Sequence, residues 1–260
     1  MTVGVEPNNI ELRIAQFRHA DDREAALDLA RRFVQAKIRN GRVLLRRNGG
    51  GRVAEPVAQL QWLARMAARA KDADTLLGIE GTAAVEYYRS LGTLFRRQAR
   101  SQGVAFDFER RSRRPPRDRA NAVLSFLYSL LTKECALAAR RVGFDPLLGF
   151  YHRPRFGRPA LALDLMEEFR PLIADSTLLT LVNGSRLTPR DFVERAGAVW
   201  LTASGRRTVL SGFEQRMATS VIHPTFRYRV TYRRAIELQA RLLAAALLGD
   251  VPEYRPFVTR

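Results

Sequence analysis

The sequence predicts a mainly α-helical fold. Apolar residues recur at three- and four-residue spacing through most of the chain. The long periodic segments are joined by short Gly-, Pro- or Asp-marked breaks. No sustained two-residue alternation, internal repeat or low-complexity tract interrupts them, so a multi-helix domain is expected.

The elements follow in order. Ile10, Leu12 and Ile14 alternate briefly, which suggests a short strand or extended lead-in over residues 1–20. Asp21-Asp22-Arg23-Glu24 has the form of a capping box. The helix after it runs through Ala26, Leu29, Ala30, Phe33, Val34, Lys37 and Ile38, and three glycines at 49–51 end it. Pro56 opens a second helix, with Leu60, Leu63 and Ala67 inward. Asp72 and Asp74 cap a third, from Thr75 to about Phe95. A helix is expected over 119–142, ended by Gly143, and another over Leu161–Ile173. A short helix should start after Thr188-Pro189, and two more should cover about 207–219 and 227–248.

At 260 residues the chain can bury a sizeable core as one large domain or two small ones. Its formal net charge of +18 points to a polyanionic partner, nucleic acid before an acidic membrane. Only Lys37, Lys71 and Lys133 are lysines among 44 cations, a bias that a GC-rich genome also produces. The single Cys135 excludes a disulfide framework and a Cys-based zinc site. The start carries no secretory signal. The most apolar stretch, 235–248, falls short of the roughly 20 residues of a membrane span. A cytoplasmic protein with no membrane partner is the expectation.

The basic residues concentrate in 96–119, which holds nine arginines and the dipeptide Pro115-Pro116. An exposed loop is expected, held extended by the prolines. In it Arg110, Arg111, Arg113, Arg114 and Arg117 would follow a phosphate backbone, or else form a solvated charge run.

Asp164 and Glu167, at i and i+3 on an apolar helix, lie just beyond His152 in a Gly/Pro-rich linker. Two carboxylates and an imidazole suit Mg²⁺ or Mn²⁺, the imidazole tilting the choice to Mn²⁺. The same acids suit a solvated ion pair between Glu167 and Arg170. Glu80 stands between Gly78 and Gly81 in an otherwise apolar segment. A charge there needs a metal or a paired arginine, and Gly81 would admit a neighbouring helix. Asn121 reads as a helix cap or a polar group aimed at a site, and Tyr128, two turns on, as core or site. Cys135 has no adjacent His and is not a convincing nucleophile.

Three segments taken together are more specific than any of these motifs alone: GIEGTAAVEYYRSLG, RRPPRDRANAVLSFLYSLL followed by GFDPLLGFYH, and LALDLMEEFRP. In order, wording and spacing they resemble the CRISPR-associated adaptation (spacer-acquisition) endonuclease/integrase family, from about Asn9 to the end. The resemblance implies a helical catalytic domain over 21–260, behind an amino-terminal β-rich domain that is largely missing ahead of the 1–20 lead-in. It implies Glu80, His152 and Glu167 as ligands of Mn²⁺ or Mg²⁺, Asp164 as a further acid of the site, and Asn121 and Tyr128 close to it. It also implies metal-dependent cutting of DNA, joining of spacer 3′-hydroxyl ends to the repeat by transesterification, homodimers, and docking on a small dimeric adaptation subunit. A non-catalytic DNA-binding or assembly module is the competing expectation.

Overall fold

In the computed structural model, residues 9–95, 106, 108, 110–112 and 115–259 are described. Among them the architecture is α-helical with two small β-ladders. Residues 10–21 form a helix, α1 (Ile10–Asp21), and not the strand or extended lead-in that Ile10, Leu12 and Ile14 suggest. Asn9 caps it by accepting from the Leu12 N–H. Leu12 and Gln16 are buried from its inner face. The Gln16 amide donates to the carbonyls of Asp145 (2.8 Å) and Leu148 (2.7 Å) and accepts from the Asp145 N–H. Tertiary hydrogen bonds therefore decide this segment, where three alternating apolar residues are too few to fix a period.

Asp22 caps α2 (Arg23–Gly49), accepting from the N–H groups of Glu24 and Ala25. Helices α3 (Ala54–Ala67) and α4 (Ala73–Gly92), the latter capped by Asp72, pack on it. Asp118 caps α5 (Arg119–Val142), so Asn121 is in the first turn and is not the cap. Helix α5 is long and apolar enough to cross a membrane by length and composition. Here Leu124, Leu127, Leu131 and Cys135 are buried against α6 (Ala160–Glu167) and the carboxy-terminal α9 (Tyr232–Leu248).

The expected single helix over Leu161–Ile173 is interrupted. After α6, residues Arg170–Asp175 form a π-helical turn before α7 (Ser176–Asn183). Pro171 has no N–H for an i−4 bond, and the widened turn accommodates it. Thr188-Pro189 begins only a 3₁₀ turn, leading into the ladder β1 (Phe192–Arg195) and β2 (Ala198–Leu201). A second ladder, β3 (Ser220–Ile222) with β4 (Arg229–Thr231), lies between α8 (Ala203–Met217) and α9. Strands of three and four residues give too few alternations to stand out. Ala196, in the positive-φ turn of the first hairpin, carries none of the usual Asn or Asp signal.

The segment after α9 is tied back to the core. Buried Asn40 of α2 donates to the carbonyls of Glu168 and Phe257, each at 2.8 Å, and accepts from the Thr259 N–H. The buried Glu168 carboxylate accepts from Tyr254, the Phe257 N–H and Gln239. Burial pushes its pKa up to about 7, and these hydrogen bonds offset only part of that. A raised folded-state value means that the folded chain holds more protons than the unfolded one between about pH 4.5 and 7. Stability should therefore fall as pH rises through that window. Urea unfolding from pH 4.5 to 8 measures the slope, and Glu168→Gln should flatten it relative to the parent chain.

Candidate active site

Four elements converge on one group of charges. Helix α4 carries Glu80, α2 carries Lys37, the loop after α5 carries Tyr151 and His152, and α6 carries Asp164 and Glu167. The Lys37 ammonium bridges both glutamates: it pairs with Glu80 Oε1 and lies 2.9 Å from Glu167 Oε2. Tyr151 donates to the other oxygen of Glu80. Burial opposes the charge on Glu80, but Lys37 and the hydrogen bonds from Lys37 and Tyr151 outweigh it and lower its pKa. Sequence reasoning offered Glu80 an arginine partner and a helix packed on Gly81. The partner is Lys37, and the space beside Gly78 and Gly81 is open.

Asp164 is completely buried and fully engaged. One oxygen accepts from the backbone N–H groups of Phe150 (2.6 Å) and Tyr151 (3.1 Å). The other accepts from the His152 N–H (2.9 Å) and the His152 ring Nδ1 (2.7 Å). Gly149 permits this wrap, because a Cβ there would lie 2.7 Å from the Asp164 carboxylate and 2.8 Å from the Ala160 backbone. Asp164 is thus a positioning residue. By accepting from Nδ1–H it fixes the ring and turns Nε2 into the site, 3.9 Å from Glu167 Oε1.

Glu167 forms a pair with Arg170 at 2.8 Å, but the pair is buried, not solvated. Burial disfavours the Glu167 charge, yet Arg170, then Lys37 and His152, hold its pKa far below the usual carboxylate range. From Arg170 a hydrogen-bonded chain runs inward. Its NH2 donates to the Tyr88 hydroxyl (3.1 Å), Tyr88 meets Tyr128 (2.8 Å), and Tyr128 donates to Asp175 (2.6 Å), which also accepts from Tyr87 (2.7 Å). The Arg170 guanidinium lies 4.3 Å from the centre of the Tyr128 ring. Tyr128 is therefore part of a scaffold behind the site.

Asn121 docks the basic segment onto α5. Its side chain accepts from the Ser112 N–H (2.9 Å) and donates to the Arg110 carbonyl (2.9 Å). It also accepts from the Arg111 guanidinium (2.6 Å), which reaches Ser125 and lies over the Tyr128 ring. Arg111 is folded inward and does not belong to an exposed phosphate-tracking strip. Arg110 and Arg117 are exposed, and Arg113 and Arg114 lie outside the described residues.

Among the described residues no group of three or more His, Cys, Asp or Glu is placed to hold a metal ion as the side chains stand. Glu80 and Glu167 are held together by an ammonium, and His152 faces the second of them. Lys37, Tyr88, Tyr151, Arg170 and Asp175 were not singled out from sequence as site residues. Lys37 carried a signal, as a lysine on the apolar face of α2 in an arginine-rich chain. Arg170 carried one too, at i+3 from Glu167, but that spacing by itself indicates only a solvated pair; Tyr88, Tyr151 and Asp175 carried none.

The family described as CRISPR associated protein Cas1 matches residues 1–215. The chain belongs to the Cas1 family. It is 49% identical over 265 residues to the CRISPR-associated exonuclease Cas4/endonuclease Cas1 fusion of Geobacter sulfurreducens, covering 100% of this chain and 47% of that protein. It is 44% identical over 252 residues to the CRISPR-associated endonuclease Cas1 3 of Thermus thermophilus, covering 97% of this chain and 73% of that protein. The chain spans about half the length of the fusion relatives. Among solved structures, a Cas1 protein from Thermotoga maritima matches with a TM-score of 0.80 and 28% identity, over 92% of this chain and 70% of that one. A casposase bound to its integration product shares the fold, with a TM-score of 0.81 and 24% identity over 96% of this chain and 72% of that one.

Proposed function

We propose that this Cas1-family chain is the catalytic domain of a metal-dependent DNA endonuclease/integrase of CRISPR adaptation. The observation that carries the reading is the convergence of the Glu80 and Glu167 carboxylates on one cation, the Lys37 ammonium, with His152 Nε2 beside Glu167. Two hard carboxylates and one imidazole with its other nitrogen already committed suit Mn²⁺ or Mg²⁺. Glu80, His152 and Glu167 would hold the ion, which when bound supplies Lewis-acid stabilisation of charge on a phosphodiester.

The chain's own residues do the rest. Asp164 keeps the imidazole in one tautomer and orientation, and Arg170 and Lys37 keep Glu167 ionised. In the joining reaction the spacer 3′-hydroxyl oxygen bonds to a repeat phosphorus as the bond to the leaving strand's oxygen breaks. The hydroxyl proton is lost and the leaving oxygen gains one, so the count of phosphodiester bonds is unchanged. No Ser or Cys nucleophile is required. The named activities of the Cas1 relatives and the casposase fold support the reading, and assembly as a homodimer with a small adaptation subunit goes with it.

An open groove of about 890 Å³ is lined by Val85, Tyr88, Arg89 and Arg110, among others, and Arg89 with Arg110 would offer DNA a basic path beside the site. Each phosphate contact on duplex DNA contributes about −0.9 to the slope of log K against log salt. Because Arg110 and Arg117 are exposed, Arg110→Ala with Arg117→Ala should flatten that slope by up to about two units. Fluorescence anisotropy across a salt series measures this, and an unchanged slope would place the DNA elsewhere. Strand cleavage and joining with Mn²⁺ tests the catalytic reading against that of a non-catalytic DNA-binding module.

A further inference from the structure

The loop that begins at His152 ends in a feature that the hydrolytic site does not use. Arg158 N–H donates to the Arg155 carbonyl at 2.9 Å, closing a tight turn with Phe156 and Gly157 at its corners. Gly157 has φ +68°, the left-handed value that the second corner of such a turn requires. The turn projects Phe156 wholly into solvent, with a relative exposure of 110%. The next most exposed large apolar side chains described, Val85, Ile10 and Ile222, reach only 61–62%, so Phe156 alone contributes no packing to the fold.

Its surroundings are specific. Arg153, Arg155 and Arg158 flank it within Arg153–Pro159, and no acid occurs between Phe150 and the buried Asp164. The base of the loop is fixed by the three backbone N–H groups bound to Asp164, the group that orients His152. Phe156 is four residues from His152, hence at most roughly 14 Å from it along the chain.

A fully exposed aromatic ring on a turn that also carries three arginines matches nucleic acid better than an apolar partner, which would leave those charges unpaired. Guanidiniums hold phosphates and an exposed ring stacks on a base or wedges a base step apart. We propose that Phe156 is a nucleobase-stacking residue that grips a base next to the phosphodiester presented to His152. The assignment rests on the DNA-processing reading above and names the part of the substrate that this loop recognises.

The test uses the full chain and a DNA probe carrying 2-aminopurine, in two arms: within a duplex, and in a single-stranded 3′ end. Whichever arm shows a fluorescence change on binding identifies the source of the base. Phe156→Ala should abolish that change and weaken binding roughly 5- to 100-fold, with the salt slope unaltered because no phosphate contact is lost. Phe156→Trp should restore both, whereas Arg155→Ala should flatten the slope by about 0.9. Phe156→Leu separates stacking from a merely apolar contact and should not restore them. The inference is overturned if Phe156→Ala binds and perturbs the probe as the parent does. It is also overturned if Phe156→Leu rescues as well as Trp, or if Phe156→Ala alters self-association without DNA. Failure of the parent chain to bind DNA would overturn the function reading too, while normal parent binding with an indifferent Phe156→Ala overturns this inference alone.

Discussion

Replacing His152 with Ala, or Glu80 with Gln, is expected to reduce metal-dependent strand cleavage and joining by about 10³-fold or more, while DNA affinity stays within about threefold. The magnitude follows from removing several kcal/mol of charge stabilisation at the reacting phosphate. On the proposed reading binding should survive, because arginines outside the site would hold the phosphates. Asp164→Asn tests the positioning role separately. It turns one of the two acceptor oxygens into an NH2 donor that must face either the His152 N–H and Nδ1–H or the Phe150 and Tyr151 N–H groups. The loop and ring then lose their fixed placement, and activity should fall by roughly 10- to 100-fold with the other site side chains still present. Cleavage and joining assays with Mn²⁺, run beside anisotropy binding, separate the two effects. Full activity in both the His152 and Glu80 variants would remove the basis of the metal-site reading.

The largest expected effect on stability is at Arg170. It is buried, ion-paired with Glu167, hydrogen-bonded to Tyr88 and stacked on Tyr128. Arg170→Ala leaves buried Glu167 without its nearest cation, with Lys37 and His152 as the remaining partners, and removes one of the two hydrogen bonds of the Tyr88 hydroxyl. Breaking a buried pair from one side costs about 3–5 kcal/mol, a fall in Tm on the order of 10 °C for a chain of this size. Removing both partners should be milder. The double variant Arg170→Met with Glu167→Gln should recover part of the loss, which a double-mutant cycle on thermal melts measures. The pH dependence has a definite sign. Glu167 has a depressed folded-state pKa, so its contribution is present above its ordinary value of 4.5 and is lost as pH falls below it towards the folded value. The Arg170→Ala variant should lose less stability than the parent on acidification below pH 4. Equal acid sensitivity in the two chains would argue against the pair as the source.

Helix-forming information was local, and so it was readable. The caps at Asp22 and Asp72, the glycines after α2 and the apolar spacing of α5 all act within a few residues. The same locality hid what differs. Residues 10–21 are helical because Gln16 finds carbonyls 129 and 132 residues away. The π-helical turn at Arg170–Asp175 depends on Pro171, whose effect on a helix ranges from a kink to a stop according to what surrounds it.

The site divides the same way. Glu80, His152, Asp164 and Glu167 were legible because each charged group stands in an apolar or Gly-rich setting whose wording is specific as a set. Their division of labour was not legible. Sequence alone puts Asp164 and Glu167 on one helix face as equivalent acids. Tertiary structure makes one a buried acceptor for a loop and the other a partner of Lys37 and Arg170. It likewise folds Arg111 onto Asn121 and Tyr128 instead of outward with its neighbours. By itself, then, the sequence determined the helical class, most of the helix starts and four polar residues, Glu80, His152, Asp164 and Glu167, that the fold brings together. Only the folded chain decided which charges are buried and with whom they pair. Lys37 meets Glu80 43 positions away and Asp164 holds a loop 12 to 14 positions away, and no local period or motif records such pairings.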